Sequence, residues 1–238
     1  MKNQYVADIN DYRKYGLLRI LSDGGRIRIG CCWMLTADDG HTDGNFTAYV
    51  DSPSQWQHYD PPLFDSLSAC IRDRERNVSR IEQEGLIPGA TFCSSGLEDA
   101  PRCRHAYFDA ARRQMVDREL VFFDPDNGLE VKSRPYGSRG CSKFLFWHEA
   151  TSFFKGGKSL LIYQHFIREE RKRFIARLSA EFGTRLGATE VWAFRTPHVV
   201  FFLVPRDNHR DLFRSRAEQV QEHWDARQIQ VTRYEGAK

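Results

Sequence analysis

This 238-residue chain has no long apolar run, no Cys-x-x-Cys pair and no linker rich in Ser, Pro or Gly. Each absence excludes something. Without a linker the chain is expected to form a single α/β domain over residues 1–238. Without an apolar stretch of about 20 residues it has no membrane-spanning helix, and without a signal-like start it is expected in a reducing cytoplasm. Its six cysteines, Cys31, Cys32, Cys70, Cys93, Cys103 and Cys141, lack the spacing of a zinc site. Cys31, Cys32 and Cys93 fall in apolar runs, where a thiol behaves as a small hydrophobe, so neither disulfides nor a structural metal are expected. A strong net charge is missing too. With 35 basic and 32 acidic residues, any nucleic-acid surface must be a local patch. There is no internal repeat and no evident obligate protein partner.

What is present is enough apolar material for a large core, 41% hydrophobic and 13% aromatic residues. Asp8 and the helical spacing that follows predict a first helix to Leu21, ending before Gly24-Gly25. A strand is expected at 26–35, a short strand near 46–50, and a long helix from Pro61 to Ile81 capped by Asp60. A strand at 90–93, a helix at 102–116, and strands at 120–123 and 159–165 follow. A helix then carries Phe166, Ile167, Phe174, Ile175 and Leu178 inward. Strands at 189–194 and 199–204 flank Thr196-Pro-His198 and predict an antiparallel hairpin at the sheet edge. A last helix at 207–224 and a strand at 228–234 complete the pattern. Alternating strands and helices imply a three-layer α/β/α fold with a mostly parallel central sheet.

The chain is organised around Leu120-Val-Phe-Phe-Asp-Pro-Asp-Asn-Gly-Leu-Glu130. Four apolar residues too few for a helix make a strand buried on both faces. Asp124, Asp126, Asn127 and Glu130 then crowd a turn at its carboxyl end, where open α/β sheets bind ligands. An ordinary turn uses the same residue types. A second polar loop, Thr36 to Gly44, carries Asp38, Asp39 and Asp43.

The strand at 159–165 also ends in polar side chains, Gln164 and His165. An aspartate can direct water, Asn or Gln can hold a base edge, and a histidine can stabilise an anionic leaving group. The candidate catalytic set is therefore Asp124, Asp126 and His165, with Asn127, Gln164, Glu130, Asp38 and Asp39 as base-binding candidates. A structural histidine at a strand end is the alternative for His165. The segment 132–143 holds Lys132, Arg134, Arg139 and Lys143 with no acid, together with Tyr136. It is expected to be a mobile loop beside the site that grips phosphates, aided by Arg168 and Lys172, while Tyr136 or Trp147 stacks on bases. On the helix alone, such a charge run also suits a solvated face.

Asp124-Pro-Asp-Asn-Gly128 resembles the strand-end Asp-Pro-x-x-Gly turn of the uracil-DNA glycosylase superfamily, whose aspartate positions the hydrolytic water. His165 is similar in placement to the histidine that stabilises the departing base there. The likeness spans Leu120 to Phe166. Phe123 replaces that family's glutamine, Asp126 its aromatic, and Gln164-His165-Phe166 its His-Pro-Ser, departures that argue against uracil and for a larger, hydroxyl-bearing base. Across the chain, Asp11-Tyr-Arg-Lys-Tyr-Gly-Leu-Leu18, Trp33-Met-Leu-Thr36, Asp124 to Glu130 and Tyr163-Gln-His165 resemble the antiviral DNA glycosylases of bacterial phage defence. That resemblance implies removal of glucosylated hydroxymethylcytosine from phage DNA without a cofactor. No lysine stands in the strand-end set, so hydrolysis is expected rather than a covalent imine.

A rival likeness is to amino-methyltransferases acting on bases, whose motif is Asp-Pro-Pro-Tyr. Against it, Thr36-Ala-Asp-Asp-Gly40 is no Gly-x-Gly cofactor turn, and the stacking tyrosine is missing. A non-catalytic nucleic-acid-binding module is the third possibility.

Overall fold

The computed structural model describes residues 1–38, 40 and 44–236. Its strands are β1 Ile29–Cys32, β2 Thr91–Cys93, β3 Leu120–Phe123, β4 Gly128–Leu129, β5 Phe144–Leu145, β6 Ser159–His165, β7 Glu190–Arg195, β8 Val199–Val204 and β9 Gln230–Glu235. The helices are α1 Ile9–Ser22, α2 Pro53–Trp56, α3 Pro61–Arg72, α4 Val78–Gln83, α5 Pro101–Gln114, α6 Trp147–Lys155, α7 Arg171–Leu186 and α8 Arg210–His223. The main sheet runs β2-β1-β3-β6-β8-β7-β9, and β4 pairs with β5 separately. The first four strands of the main sheet are mutually parallel, while β8 is antiparallel to both β6 and β7. The expected three-layer α/β arrangement is therefore what the chain adopts.

Side-chain alternation divides the core. Ile29, Cys31, Leu120, Phe122, Leu161 and Phe201 point to the layer of α1, α3 and α8. Cys32, Val121, Phe123, Leu160, Ile162 and Phe202 point to the layer of α5, α6 and α7. That period of two is the strand's own geometry. It also decides which polar side chains beyond the strand ends can meet.

Four expectations fail for physical reasons. Residues 46–50 are no strand: Val50 N–H turns back to the Thr47 carbonyl at 3.2 Å and Ala48–Asp51 form a 3-10 helix. The long helix breaks after Arg72, because residues 72–77 hold no apolar group. Arg74 takes φ +59° and Asn77 caps α4 by accepting from Arg80 N–H at 3.0 Å. Helix α7 starts only at Arg171, capped by Glu170, so Ile167 lies before it and is 51% exposed. Finally, the β7–β8 hairpin is not at the edge. Strand β8 inserts between β6 and β7, and β9 takes the edge.

Among the described residues no helix is long and apolar enough to cross a membrane. All six cysteines are free.

Candidate active site

A cavity of about 420 Å³ opens at the carboxyl ends of β3 and β6, on the α1 side of the sheet. Asp124, Pro125, Asp126 and Asn127 reach it from β3, Tyr163 and His165 from β6, and His198 from the β7–β8 turn. Helix α1 and its approach add Asp8, Asp11 and Lys14, and Phe46 stands on the wall. The position is the one expected for ligands of an open α/β sheet.

Two buried carboxylates form the floor. Asp124 Oδ2 accepts from Lys14 Nζ at 2.7 Å, and the same ammonium lies 2.6 Å from Asp11 Oδ1. Asp11 Oδ2 in turn accepts from the Tyr15 hydroxyl at 3.0 Å. Asp126 Oδ1 meets the amino group of Met1 at 2.5 Å, and its Oδ2 accepts from Thr36 Oγ1 at 2.7 Å. The Met1 amino group also donates to the Asp124 carbonyl at 2.8 Å, tying both acidic residues to one cation.

Burial pushes the Asp11 carboxyl up to about 6, Lys14 opposing and Asp124 adding. Burial pulls the Lys14 ammonium down, but Asp11 and Asp124 outweigh it and hold it above the ordinary lysine range. A lysine so held is protonated and unable to attack as a free amine. This corrects the expectation that no lysine stands in the set. Lys14 does, delivered by a helix more than a hundred residues upstream in sequence.

Opposite the acids, the Tyr163 hydroxyl and His165 Nε2 are 2.9 Å apart. Burial, then Asp124, Asp11, Asp8 and Asp126, raise Tyr163 well above the ordinary tyrosine range, so it keeps its proton. Sequence reasoning missed Tyr163, although the alternation of β6 places it on the same face as His165. At the wall, Phe46 is 64% exposed and parallel to His198, ring centroids 5.8 Å apart. Its backbone is pinned on both sides. The N–H donates to Asp8 Oδ2 and the carbonyl accepts from Ile9 N–H, each at 3.0 Å. Burial, aided by Arg13, lowers His198, with Arg171 acting in the same direction and Asp8 against it.

Gln164 belongs to the other face and does not enter this cavity. Its Oε1 accepts from Leu129 N–H at 2.7 Å and its Nε2 donates to the carbonyls of Asn127 and His165 at 3.2 and 2.9 Å. A Cβ on Gly128, which has φ +109°, would come within 2.4 Å of that amide. Gln164 is thus a peg that shapes the Asp124–Leu129 turn. Glu130 faces away as well and accepts from Trp147 N–H at 3.4 Å. Asp38 is exposed, accepts from Gln4 N–H at 3.3 Å and does not line the cavity; Asp39 and Asp43 lie outside the described residues.

The basic segment is likewise displaced from the pocket. Lys132, Arg134 and Tyr136 line a separate groove of about 770 Å³, together with Trp147 and Arg177. The segment is anchored rather than loose: Asp99 accepts from Gly140 and Ser142 N–H at 2.7 and 2.8 Å. Tyr136 packs edge-on against Phe146 and His148. Arg139 is exposed, and Lys143 lends its carbonyl to Asn127 N–H at 2.9 Å. Arg168 and Lys172 are exposed near the start of α7, just beyond His165.

Among the described residues no three His, Cys, Asp or Glu side chains are arranged to hold a metal ion. No protein-family model matches the chain, and no curated protein matches it either.

Proposed function

We propose that the protein is a DNA glycosylase that hydrolyses the N-glycosidic bond of a modified cytosine, leaving an abasic site, in defence against phage. The observation that carries this reading is one pocket holding two buried carboxylates at the end of β3 and a tyrosine–histidine couple at the end of β6. Breaking a glycosidic bond puts positive charge on the sugar and negative charge on the departing base. Asp124 and Asp126 suit the first charge: one directs water at the anomeric carbon while both stabilise the cation. Tyr163 and His165 suit the second, as hydrogen-bond donors to the leaving base. Water adds its oxygen to the sugar carbon, and the base departs with a proton.

A base turned out of the helix would meet the flat faces of Phe46 and His198 at the wall. A cavity of about 420 Å³ falls in the range of sites for drug-sized ligands. That supports a base enlarged by a hydroxymethyl or sugar group over a bare pyrimidine. Lys14, held protonated, supports hydrolysis over an imine.

A base methyltransferase is the second reading, favoured by the order of β3, Asp-Pro, β6 and the β7–β8 hairpin. Its difficulty is the crevice between β1 and β3. The described residues just after β1, 33–38, hold no glycine, and the Met1 amino group fills the gap by donating to the carbonyls of Met34 and Asp124.

The deciding experiment incubates the protein with phage DNAs carrying plain, hydroxymethylated or glucosylated cytosine and seeks free base by mass spectrometry. Release confined to a modified cytosine is expected. Absence of base release from all three, with adenosylmethionine binding at micromolar affinity by calorimetry, would replace this reading with the methyltransferase.

A further inference from the structure

Lys14 and Asp11 are chemically costly residues with no packing reason to be charged. Lys14 is 2% exposed and Asp11 5%. Both lie on α1, both border the cavity, and together with Asp124 they form a line in which one ammonium is shared by two carboxylates at 2.6 and 2.7 Å. Charged groups this deep are retained only where they are paired or used. We propose that Lys14 is the positioning residue that aims the Asp124 carboxylate, and that Asp11 regulates it by competing for the same ammonium. The inference rests on the glycosylase reading of the pocket and extends it from the strand ends to α1.

The mechanism is electrostatic. When Asp11 is ionised, the positive charge of Lys14 is divided between two carboxylates, and the pocket keeps a net negative field toward the sugar. When Asp11 takes up a proton, Lys14 offsets Asp124 alone and that field weakens. Ionised Asp11 is therefore the active form, and base release should rise with pH as Asp11 loses its proton. The groups facing Asp11 agree with a titration displaced from the ordinary aspartate range. Asp8, Lys14 and Tyr15 come from α1 and its cap, Asp124 from the end of β3, Tyr163 from β6, and Tyr49 from the 3-10 helix 48–51. Burial is the largest push upward, Asp124 and Asp8 add to it, and Lys14 opposes them, helped by the hydrogen bond from the Tyr15 hydroxyl.

The test has two arms. In the first, single-turnover base release is followed from pH 4.5 to 8.5 in the native chain, Asp11→Asn and Lys14→Arg. The native rate should climb through an acid limb near pH 6. Asp11→Asn should lose that limb and fall about tenfold at its plateau, less than the ~100-fold of a group in direct contact with the reacting atoms. Lys14→Arg, which keeps the charge, should retain the limb. In the second arm, carboxyl carbon resonances of Asp11 and Asp124 are titrated in the free protein. The Asp124 signal should respond at the Asp11 midpoint in the native chain and lose that response in Asp11→Asn. An Asp11 that titrates in the ordinary aspartate range, or an Asp11→Asn variant with native rate and profile, would overturn the proposal. If no DNA yields base but the carboxyls remain coupled, the glycosylase reading falls and the sharing of Lys14 stands.

Discussion

Arg104 and Lys14 are both buried cations held by carboxylates, yet their surroundings differ. Arg104 makes a two-pronged pair with Glu149 at 2.9 and 2.7 Å and donates to the carbonyls of Cys141 and Phe144 at 3.1 and 2.9 Å. Glu149 Oε2 also accepts from Phe146 N–H at 2.9 Å. The cluster is closed on itself, and what it holds is the backbone between Cys141 and Phe146. Lys14 instead holds two acids that border an open cavity. A buried charge surrounded by partners is architecture; one that shares a cavity wall is a candidate for chemistry.

The largest expected effect breaks the closed cluster. Arg104→Met leaves Glu149 buried without its partner and should cost about 3–5 kcal/mol of stability, read as a lower urea midpoint. Pairing it with Glu149→Leu should recover only part of that loss: the unpaired charge is gone, but the Cys141 and Phe144 carbonyls and the Phe146 N–H lose their partners. If Arg104→Met unfolded at the native midpoint, the two clusters would not differ as described.

The open cluster should behave in the opposite sense. Asp124→Asn or Asp126→Asn should lower base release ~100- to 1000-fold while DNA affinity changes little, and in Asp124→Asn the urea midpoint should fall less than in Arg104→Met, because Lys14 keeps Asp11 as a partner. Near-native turnover in both variants would move the chemistry out of this pocket.

A smaller effect sharpens the contrast through pH. The Asp11 carboxyl lies at about 6 in the folded chain against 3.8 for the free group. The folded state therefore binds the proton more tightly. The stability this contributes is fully present below pH 3.8 and is lost as pH rises through about 6. Asp11→Asn should accordingly gain stability over the native chain between pH 4 and 6 and hold a constant advantage above that, seen in melting curves. A constant difference across the whole range would mean that Asp11 is not displaced.

The smallest effect concerns the surface. Replacing Lys132, Arg134, Arg139 and Lys143 by alanine should make the salt slope of DNA affinity shallower by up to about four, one per phosphate contact. Chemistry on saturating DNA should persist. Because Lys132 and Arg134 line the groove apart from the pocket, an unchanged slope would assign the phosphate grip to Arg168 and Lys172.

The sheet was legible because its strands are short apolar runs with sharp ends. The ranges expected for β3, β6 and β8 are the ones observed. Asp124, Asp126, Asn127 and His165 do meet in one cavity. What sequence position hides is the face. Gln164 and His165 are neighbours in the chain but lie on opposite sides of the sheet, and Tyr163 was legible from the same alternation. Lys14 was not, since a helical lysine among charged neighbours gives no sign that the sheet end lies beneath it. The basic segment misled for the same reason: proximity to Asp124 in sequence does not say on which side of the sheet a loop will fold.

The insertion of β8 between β6 and β7 has a kinetic consequence. Strand β7 precedes β8 in the chain yet has no place beside β6, and the short turn between β7 and β8 favours their closing as a local hairpin, a fast event. Docking of the pair on β6 through β8 spans a longer stretch of chain and is expected to be slower. His198 rides on the tip of that hairpin. The pocket should therefore be completed at the docking step, with β7 and β8 amides gaining protection from exchange together and ahead of the closed cavity.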